Sequence, residues 1–299
     1  MSVRKFIVYA GSFDENIGGE IALHRLCDLL NRQGCRAFLW PERRPFAGAD
    51  ATLATRWKLA RYELKRKERQ FKTWPAFDTP LATPADLVGA IAVYPEVVDG
   101  NPLGAEHVVR WFLHKPGFHT GRTHYGANDR FFFYQNAFND PRVNPESDNL
   151  LKTAFVRDDV YREVNAGERH GSCYILRKGK GRPIVHDLKG SVLVDGLSHT
   201  EMAAVFNRVA MCVSYDTYTM YSMFAAMCGC TSVVVPEEGL SKEQWYPDPR
   251  DRYGMAYGFD DIEHAERTRH LVLPHLKGQE AQANESVARF VEKCASYFG

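Results

Sequence analysis

The sequence lacks any apolar run that approaches the roughly 20 residues a membrane-spanning helix requires. It also lacks an excess of charge of either sign, because 38 lysines and arginines balance 37 aspartates and glutamates. The net charge of +1 gives no overall reason to expect nucleic acid as a partner. The apolar start of the chain is too short for a signal peptide and is better interpreted as a first buried strand. We therefore expect a soluble, cytoplasmic protein.

Spacings typical of metal and redox sites are also missing. The seven cysteines are scattered, and Cys228 and Cys230 are separated by one residue, which does not suit a zinc knuckle. No His-Glu-x-x-His run occurs, and no Asp-x-Asp pair follows a buried strand. The sequence predicts structural thiols, no metal and no bound cofactor.

Two glycine-rich phosphate motifs are absent as well. The chain has no Gly-x-Gly-x-x-Gly fingerprint, which counts against a nicotinamide-dependent enzyme, and no Walker A loop. What it does have is an ordinary globular composition, with 44% hydrophobic and 25% charged residues. A length of 299 residues predicts about two domains.

The first half predicts a βαβ unit. An apolar strand over 6–10 is followed by a glycine-containing loop, an amphipathic helix over 20–32 and a strand over 37–40. A further strand over 87–94 and a helix over 105–113 come next. Since βαβ units form parallel sheets with right-handed crossovers, we expect an open α/β domain.

The second half repeats this architecture. A polar, glycine-containing segment over 160–171 suggests a boundary, which divides the chain into domains 1–165 and 166–299. The predicted strands are 173–176, 191–194, 211–214 and 232–235, and the predicted helices are 200–209, 219–228 and a closing helix over 280–297. Open α/β domains bind ligands at the carboxyl ends of their strands, so we expect a site across the cleft between two such domains.

The end of one predicted strand in the second half carries a first candidate phosphate site. Tyr215 and Asp216 end the strand, and a helix begins near Thr217 or Thr219. The free N–H groups and positive dipole end of a helix bind phosphate, and these hydroxyl groups add donors. The alternative is that Asp216 or Thr217 is an N-cap, which is compatible with phosphate binding.

A second candidate phosphate site follows the first predicted strand of that half. Residues 177–182 read Arg-Lys-Gly-Lys-Gly-Arg and include Arg177, Lys178 and Lys180. The glycines let the backbone approach a diphosphate while the cations neutralise it, as a departing nucleoside diphosphate requires. The alternative is an exposed basic turn.

Glycines in the first half favour a ligand site near the predicted first helix. Gly18 and Gly19 lie between strand and helix, where they allow the chain to pass close to a bound ligand. A plain tight turn explains them equally well. Arg110, on the helix predicted over 105–113, is a further candidate for the acceptor side.

Carboxylates near predicted strand ends are candidates for a general base. Glu96 follows the strand over 87–94, where a carboxylate facing a cleft would take the proton of an acceptor hydroxyl. Asp14 is the second candidate for this catalytic role, with Glu15 and His24 as competitors. Each of these side chains also has a structural interpretation.

The segment over 56–72 is strongly basic. One interpretation is a solvated helix face. The other is a surface for an anionic acceptor or for a membrane headgroup layer, which would make the protein peripheral to a membrane.

Several of these segments resemble the GT-B glycosyltransferases. Residues 17–30 resemble the glycine-containing loop and first helix of their acceptor domain. Residues 90–117 resemble a stretch of bacterial polysaccharide and lipopolysaccharide-type transferases, and residues 213–236 resemble the donor-binding strand–helix–strand of that group. The resemblance implies an α/β fold of two Rossmann-like domains facing a cleft, with the nucleotide sugar on the C-terminal one.

The resemblance also implies roles for individual residues. The loop over 177–182 would contact the donor diphosphate, while Tyr215, Asp216, Thr217 and Thr219 would cradle phosphate and ribose. Many members use a glutamate near this helix for the ribose or the sugar. Asp216 is nearest to that role here, and this departure leaves the nucleotide open.

The implied function is metal-independent transfer of a hexosyl group from a nucleoside-diphosphate sugar to a hydroxyl of a glycan or glycolipid. Two alternatives stay open. One is a nucleotide-sugar epimerase with the same fold, and the other is a non-enzymatic subunit that binds nucleotide sugars or glycans.

Overall fold

The computed structural model describes residues 4–48, 51–65 and 70–299, and the chain divides into two compact units. Unit 1 comprises residues 1–155 and 280–299, and unit 2 comprises residues 156–279. The division falls earlier than the predicted boundary after residue 165. The segment over 160–171 is not a linker, because Tyr161 is buried and stacks on Phe224, and Arg169 bonds backbone carbonyls of unit 2.

Unit 1 contains a five-stranded parallel sheet with the strand order β2-β1-β3-β4-β5. Its strands are β1 (Lys5–Ala10), β2 (Arg36–Pro41), β3 (Ile91–Pro95), β4 (His107–Phe112) and β5 (Arg130–Phe133). The strands are apolar and buried along most of their length, as expected for parallel strands covered on both faces.

Two helices follow the first two strands of unit 1. Helix α1 (Gly18–Arg32) packs its apolar face, which includes Leu23, Leu26 and Leu30, into the core with β1. Helix α2 (Leu53–Leu64) follows β2, and among its residues only Tyr62 is fully buried. The first strand and helix therefore lie close to where the apolar spacing predicts them.

Unit 2 contains a second five-stranded parallel sheet, with the order β10-β9-β8-β6-β7. Its strands are β6 (Ser172–Ile175), β7 (Val192–Leu193), β8 (Met211–Ser214), β9 (Thr231–Val234) and β10 (Met255–Tyr257). The helices are α3 (His199–Arg208), α4 (Met220–Met227), α5 (Lys242–Trp245) and α6 (Ile262–Thr268). The prediction of an α/β chain with two Rossmann-like halves is confirmed.

The last helix, α7 (Val272–Phe298), begins earlier than the predicted helix over 280–297 and is shared between the units. Val272 and Leu276 pack in the core of unit 2. Val287, Phe290 and Cys294 pack in the core of unit 1, which is why the end of the chain does not belong to the second domain as expected.

The helix predicted over 105–113 is wrong, because this segment forms β4. Its residues His-Val-Val-Arg-Trp-Phe are β-branched and aromatic types that suit a strand, and five of the six are buried. Strands β5 and β10 were not predicted. Across the described ranges, no helix is long and apolar enough to cross a membrane.

Candidate functional site

The carboxyl ends of three neighbouring strands form one edge of the unit 2 sheet. Ile175 of β6, Ser214 of β8 and Val234 of β9 are register partners, so the residues that follow them emerge side by side. The two candidate phosphate segments, 177–182 and 215–219, therefore meet at this edge. Residues 235–237, which sequence reasoning did not single out, join them there.

Arg177 begins a single turn of 3-10 helix, Arg177–Gly179, directly after β6. Its φ of 39° lies in the left-handed region, which is unfavourable for a residue with a side chain. Both oxygens of the Asp195 carboxylate accept backbone N–H groups here, from Leu176 at 3.1 Å and from Arg177 at 2.7 Å. Asp195 thus holds the chain in the strained turn that sets the position of the Arg177 side chain.

The Arg177 guanidinium lies beside the start of α4. Its Nε is 3.9 Å from Oδ2 of Asp216, and its Cζ is 4.5 Å from the centroid of the Tyr221 ring. Asp216 is buried, and its Oδ1 accepts the N–H of Tyr218 at 3.2 Å. One cation, one carboxylate and a helix N-terminus are therefore brought together.

Arg182 closes the same loop. Its guanidinium donates to the carbonyls of Tyr215, Val235 and Pro236, which follow β8 and β9, so its role is structural. Gly179 is needed for this packing, because a Cβ at that position would lie 2.0 Å from the Tyr215 carbonyl oxygen. Lys178 and Lys180, by contrast, are exposed.

Two threonines lie at the edge as the sequence predicts. The Thr219 hydroxyl caps α4 by accepting the N–H of Tyr221 at 3.3 Å. The Thr217 hydroxyl donates to Oε2 of Glu237 at 3.2 Å. Glu237 is a residue that sequence reasoning missed, although its position just after a buried strand was a usable signal.

The Tyr215 side chain is turned away from the phosphate segments. It is fully buried, it clusters with Val213 and Val235, and its hydroxyl accepts the N–H of Val185 at 2.9 Å. Only the Tyr215 carbonyl lies at the strand edge, where it binds Arg182. A fully buried ring offers no surface to phosphate or ribose, in contrast to the predicted role of Tyr215.

In unit 1, acidic side chains gather where β1 and β2 end. Oδ1 of Asp14 accepts the N–H and the side-chain amide of Asn16, at 2.8 and 3.0 Å, and thereby builds the turn before α1. Glu20, on the first turn of α1, packs against Gly11, where a Cβ would lie 2.6 Å from Oε1 of Glu20. Glu42 follows β2, and its N–H donates to the carbonyl of Ala10.

Glu20 is the most perturbed carboxyl group at this edge. Burial is the main cause that raises its pKa to about 7, and the nearby Glu42 and Asp14 raise it further against a hydrogen bond from Gly11. Its Oε2 is buried and has no hydrogen-bond partner in the described ranges. Such a group exchanges a proton near neutral pH.

His24 lies one helical turn after Glu20. Its Nε2 is 3.0 Å from the Gly11 carbonyl oxygen, and its Nδ1 has no partner among the described residues. Burial lowers the pKa of His24, so the ring is neutral at pH 7. Glu20 was not among the predicted site residues, although an acid and a histidine at i and i+4 after a glycine-containing loop lie on one helix face and are a usable sequence signal.

Glu96 follows β3 as predicted, but its carboxylate ties two strands together. Oε2 accepts the N–H of Leu113, just after β4, at 2.9 Å, and the Glu96 carbonyl accepts the hydroxyl of Tyr125. The side chain is buried. This geometry favours a structural role over the predicted role of general base.

Arg110 is placed on β4 rather than on a helix, and it is completely buried. Its Nε donates to Asp129 at 2.6 Å, and its other nitrogens donate to the carbonyls of Val98 and Gly100. The rings of Tyr94 and Tyr125 cover it, with centroids at 4.9 and 5.1 Å. Arg110 therefore offers no surface to an acceptor, and we withdraw it from the candidate site.

Gly18 and Gly19 form the beginning of α1, and the N-cap, Ile17, makes no side-chain cap hydrogen bond. A Cβ on Gly18 would meet nothing within 4 Å, while one on Gly19 would lie 3.7 Å from Leu113. Neither glycine has a positive φ. The space in front of Gly18 is therefore open to a ligand, but the turn itself does not require glycine.

No group of three or more His, Cys, Asp or Glu side chains suited to a metal ion occurs in the described part of the chain. All seven cysteines are free thiols, and six of them are buried. Cys173 on β6 and Cys212 on β8 are register partners, and both are buried in the core.

No protein-family model matches the chain, and no curated protein sequence does either. Among solved structures, the chain is similar to a mutant of the O-GlcNAc transferase from Thermobaculum terrenum, with 14% identity and a TM-score of 0.51. This similarity covers 98% of the chain and 67% of the transferase, which is a GT-B glycosyltransferase. The chain has the GT-B fold.

A second solved structure is also similar to the chain. It is the sucrose-phosphate synthase from Thermosynechococcus elongatus, with 9% identity, a TM-score of 0.38 and coverage of 96% of the chain and 94% of the synthase. The predicted resemblance to the GT-B fold is matched by the O-GlcNAc transferase structure.

Proposed function

We propose that the chain is a metal-independent glycosyltransferase that moves a hexosyl group from a nucleoside-diphosphate sugar to a hydroxyl of a glycan or glycolipid. One observation carries the proposal: Arg177, Asp216 and the N-terminus of α4 meet at one strand edge of a GT-B fold. This is a set of groups suited to a nucleotide diphosphate. Nucleic acid is not among the proposed partners, because the net charge is only +1.

The donor diphosphate is proposed to bind at the start of α4. The helix N-terminus attracts negative charge, and Thr217 and Thr219 supply hydroxyl groups there. Arg177 would bind the phosphates with charge-assisted hydrogen bonds, with Lys178 and Lys180 adding positive charge. No metal is needed, since these groups neutralise the leaving diphosphate.

Two carboxylates at the donor edge are candidates for a hydroxyl of the ribose or the sugar. Asp216 is held by the N–H of Tyr218 and faces Arg177. Glu237 bonds Thr217 and lies at the exposed side of the same edge. A carboxylate that accepts two neighbouring sugar hydroxyls would orient the donor.

The acceptor is proposed to be activated from unit 1 by Glu20. A base must carry a pKa near the working pH to take a proton from a hydroxyl, and the pKa of about 7 meets that condition. Asp14, which is next to Glu20, remains a second candidate. Glu96 is less suited, because its carboxylate already accepts a backbone N–H.

The test is a panel of thermal-shift titrations with UDP, GDP, dTDP, CMP and NAD, with and without magnesium, followed by transfer assays with the sugars of the nucleotide that binds. Stabilisation by one nucleoside diphosphate without magnesium supports the proposal. Stabilisation by NAD alone contradicts it. A transfer product identified by an added hexose mass separates a transferase from an epimerase, which leaves the acceptor unchanged.

Arg177→Ala is the matched variant for this panel, and Arg267→Ala, an exposed arginine on α6, is its control. Loss of one charge-assisted contact should cost about 1.5–3 kcal/mol of nucleotide binding. Nucleotide binding without any transfer, unaffected by Glu20→Gln, would favour a non-enzymatic binding subunit.

Peripheral contact with a membrane, through the basic segment over 56–72, belongs to the same proposal. A glycolipid acceptor would place the enzyme at the cytoplasmic face of a membrane. Residues 66–69 of that segment lie outside the described ranges.

A further inference from the structure

Helix α2 presents large apolar side chains to solvent. Leu53, Trp57 and Leu64 are 86%, 63% and 85% exposed. In the described ranges, no aromatic or leucine side chain outside α2 has so large an exposed fraction. Single exposed apolar residues are ordinary, but three on one short helix form a patch that needs a partner.

The three side chains form one stripe. Leu53, Trp57 and Leu64 are separated by 4 and 7 residues, which places them on the same face of a helix, with Ala60 between the last two. The opposite face attaches the helix to unit 1, because Tyr62 is buried and Leu59 is half-buried. The stripe therefore points away from the unit that carries it.

Cations flank the stripe. Within α2 and its C-cap, four cations, at Arg56, Lys58, Arg61 and Lys65, accompany a single carboxylate at Glu63. The Arg61 guanidinium lies 5.6 Å from the centroid of the Trp57 ring, so charge and aromatic surface are joined. The local charge contrasts with a net charge of only +1 for the whole chain.

The combination selects among possible occupants of this face. A coiled-coil partner would need three or four heptads, while α2 has 12 residues and is about 18 Å long. Nucleic acid would use the cations but would leave the apolar stripe in water. An anionic lipid surface uses both, because lysine and arginine bind the headgroups while tryptophan and leucine enter the acyl boundary.

We propose that α2 is an interfacial helix that docks unit 1 on anionic lipid bilayers, with Leu53, Trp57 and Leu64 inserted at the headgroup boundary. The helix lies in the plane of the membrane and does not span it. This inference deepens the proposed function by naming the surface at which a lipid-linked acceptor is met, yet the docking itself does not require any transfer activity.

The first experiment is co-sedimentation of the full chain with phosphatidylcholine vesicles that contain or lack phosphatidylglycerol. We expect binding only to the anionic vesicles, and the binding should weaken as salt is raised. Trp57→Ser with Leu64→Ser should reduce binding at least about tenfold, because two inserted side chains are lost. Binding of the wild-type chain to neither vesicle would overturn the proposal.

Two controls distinguish insertion of the stripe from nonspecific hydrophobic adsorption and from misfolding. Val88→Ser removes a side chain of unit 1 that is also highly exposed, and it should leave vesicle binding unchanged. Each variant must retain the circular dichroism spectrum and unfolding temperature of the wild type. Equal losses for the control and the stripe variant would overturn the inference.

Charge reversal tests the second half of the surface. Arg61→Glu with Lys65→Glu should abolish binding to anionic vesicles, since each cation near such a surface is worth roughly fivefold in affinity. Retained binding in this variant would contradict the proposal. The proposal would also be contradicted if the wild type were a dimer and the stripe variant a monomer, because a second copy of the chain would then cover this face.

Failure of this inference can be told apart from failure of the proposed function. Transfer to a water-soluble acceptor should be the same for the stripe variant and the wild type. Binding to anionic vesicles through α2 without any sugar transfer would support the docking surface and contradict the proposed enzyme activity. Sugar transfer without vesicle binding would support the enzyme activity and contradict the docking surface.

Discussion

Unit 1 and unit 2 are built alike, with five parallel strands each, yet different ionisable groups lie at the carboxyl ends of their strands. In unit 2 the edge has the cations of residues 177–182 and the N-terminus of α4. In unit 1 the edge has the carboxyl groups of Asp14, Glu20 and Glu42, and burial, followed by the charges of Glu42 and Asp14, raises the pKa of Glu20. Under the proposed function, the unit 2 edge would bind phosphate and the unit 1 edge would accept a proton.

The two edges also differ in how they hold their key side chain. The strained turn at Arg177 is held by the backbone N–H groups of Leu176 and Arg177, which both donate to Asp195. The Arg177 guanidinium lies beside Asp216 and Tyr221, so its charge is placed before any ligand arrives. Glu20 is fixed by burial against Gly11, which destabilises its charged form. Under the proposed function, the fixed position of Arg177 would favour phosphate binding, and the destabilised charge of Glu20 would favour proton transfer.

The largest expected effect comes from removing the proposed general base, Glu20. Glu20→Gln should lower kcat by about 10²–10⁴ fold, the usual contribution of a positioned general base, while nucleotide affinity stays unchanged. Steady-state transfer assays and nucleotide titrations measure the two quantities. Glu106→Gln, an exposed carboxyl of the same unit, is the control. Loss of nucleotide affinity in the Glu20 variant would break the division of labour between the edges.

The pH dependence sharpens the same contrast. The folded-state pKa of Glu20, about 7, lies above its model value of 4.5, so its contribution to stability is present at low pH and is lost as pH rises through 7. Ionisation of Glu20 should lower the free energy of unfolding by about 3 kcal/mol, and Glu20→Gln removes this penalty.

Denaturant unfolding from pH 4 to pH 8 checks this pH dependence. As pH rises, the free energy of unfolding of Glu20→Gln should increase relative to that of the wild type. In parallel, kcat/KM of the wild type should increase with pH around an apparent pKa near 7. A pH-independent stability difference would show that burial does not hold the Glu20 proton.

The strained turn of unit 2 allows charge and conformation to be separated. Arg177→Gly removes the cation and also relieves the left-handed strain, whereas Arg177→Ala keeps the strain. Both variants should lose about 1.5–3 kcal/mol of nucleoside-diphosphate affinity. The glycine variant should be more stable than the alanine variant by about 1 kcal/mol. Calorimetric titration and thermal unfolding measure these effects, and equal affinity in wild type and variants would place the diphosphate elsewhere.

Much of this arrangement could be predicted from the sequence where local spacing decides it. The apolar period placed β1, α1, β8 and α4, and the cation-rich loop was found at the end of β6 because strand ends are marked by glycine and charge. The segment over 105–113 was misassigned because a fully buried strand and a buried helix are equally apolar.

Other features depend on contacts that no local pattern contains. The pKa of Glu20 is set by burial and by Glu42, which arrives from a different strand. Arg110 looked like a surface cation because its partner, Asp129, is remote in the sequence. The outward stripe on α2 could not be assigned either, since only the structure shows that Tyr62, and not Trp57, faces the unit.

The smallest expected effect concerns the exposed cations of the donor loop. Lys180→Ala should weaken nucleoside-diphosphate binding by only about 0.2–1 kcal/mol, because an exposed charge is screened by water and salt. Raising the ionic strength should erase this difference, since the Debye length falls to about 3 Å at 1 M. The Arg177 effect should persist in the same salt titration, because that side chain is half-buried beside Asp216 and Tyr221. If salt erases both effects equally, the unit 2 edge is a diffuse basic surface rather than a preorganised phosphate site, and its contrast with the acidic edge of unit 1 is only one of net charge.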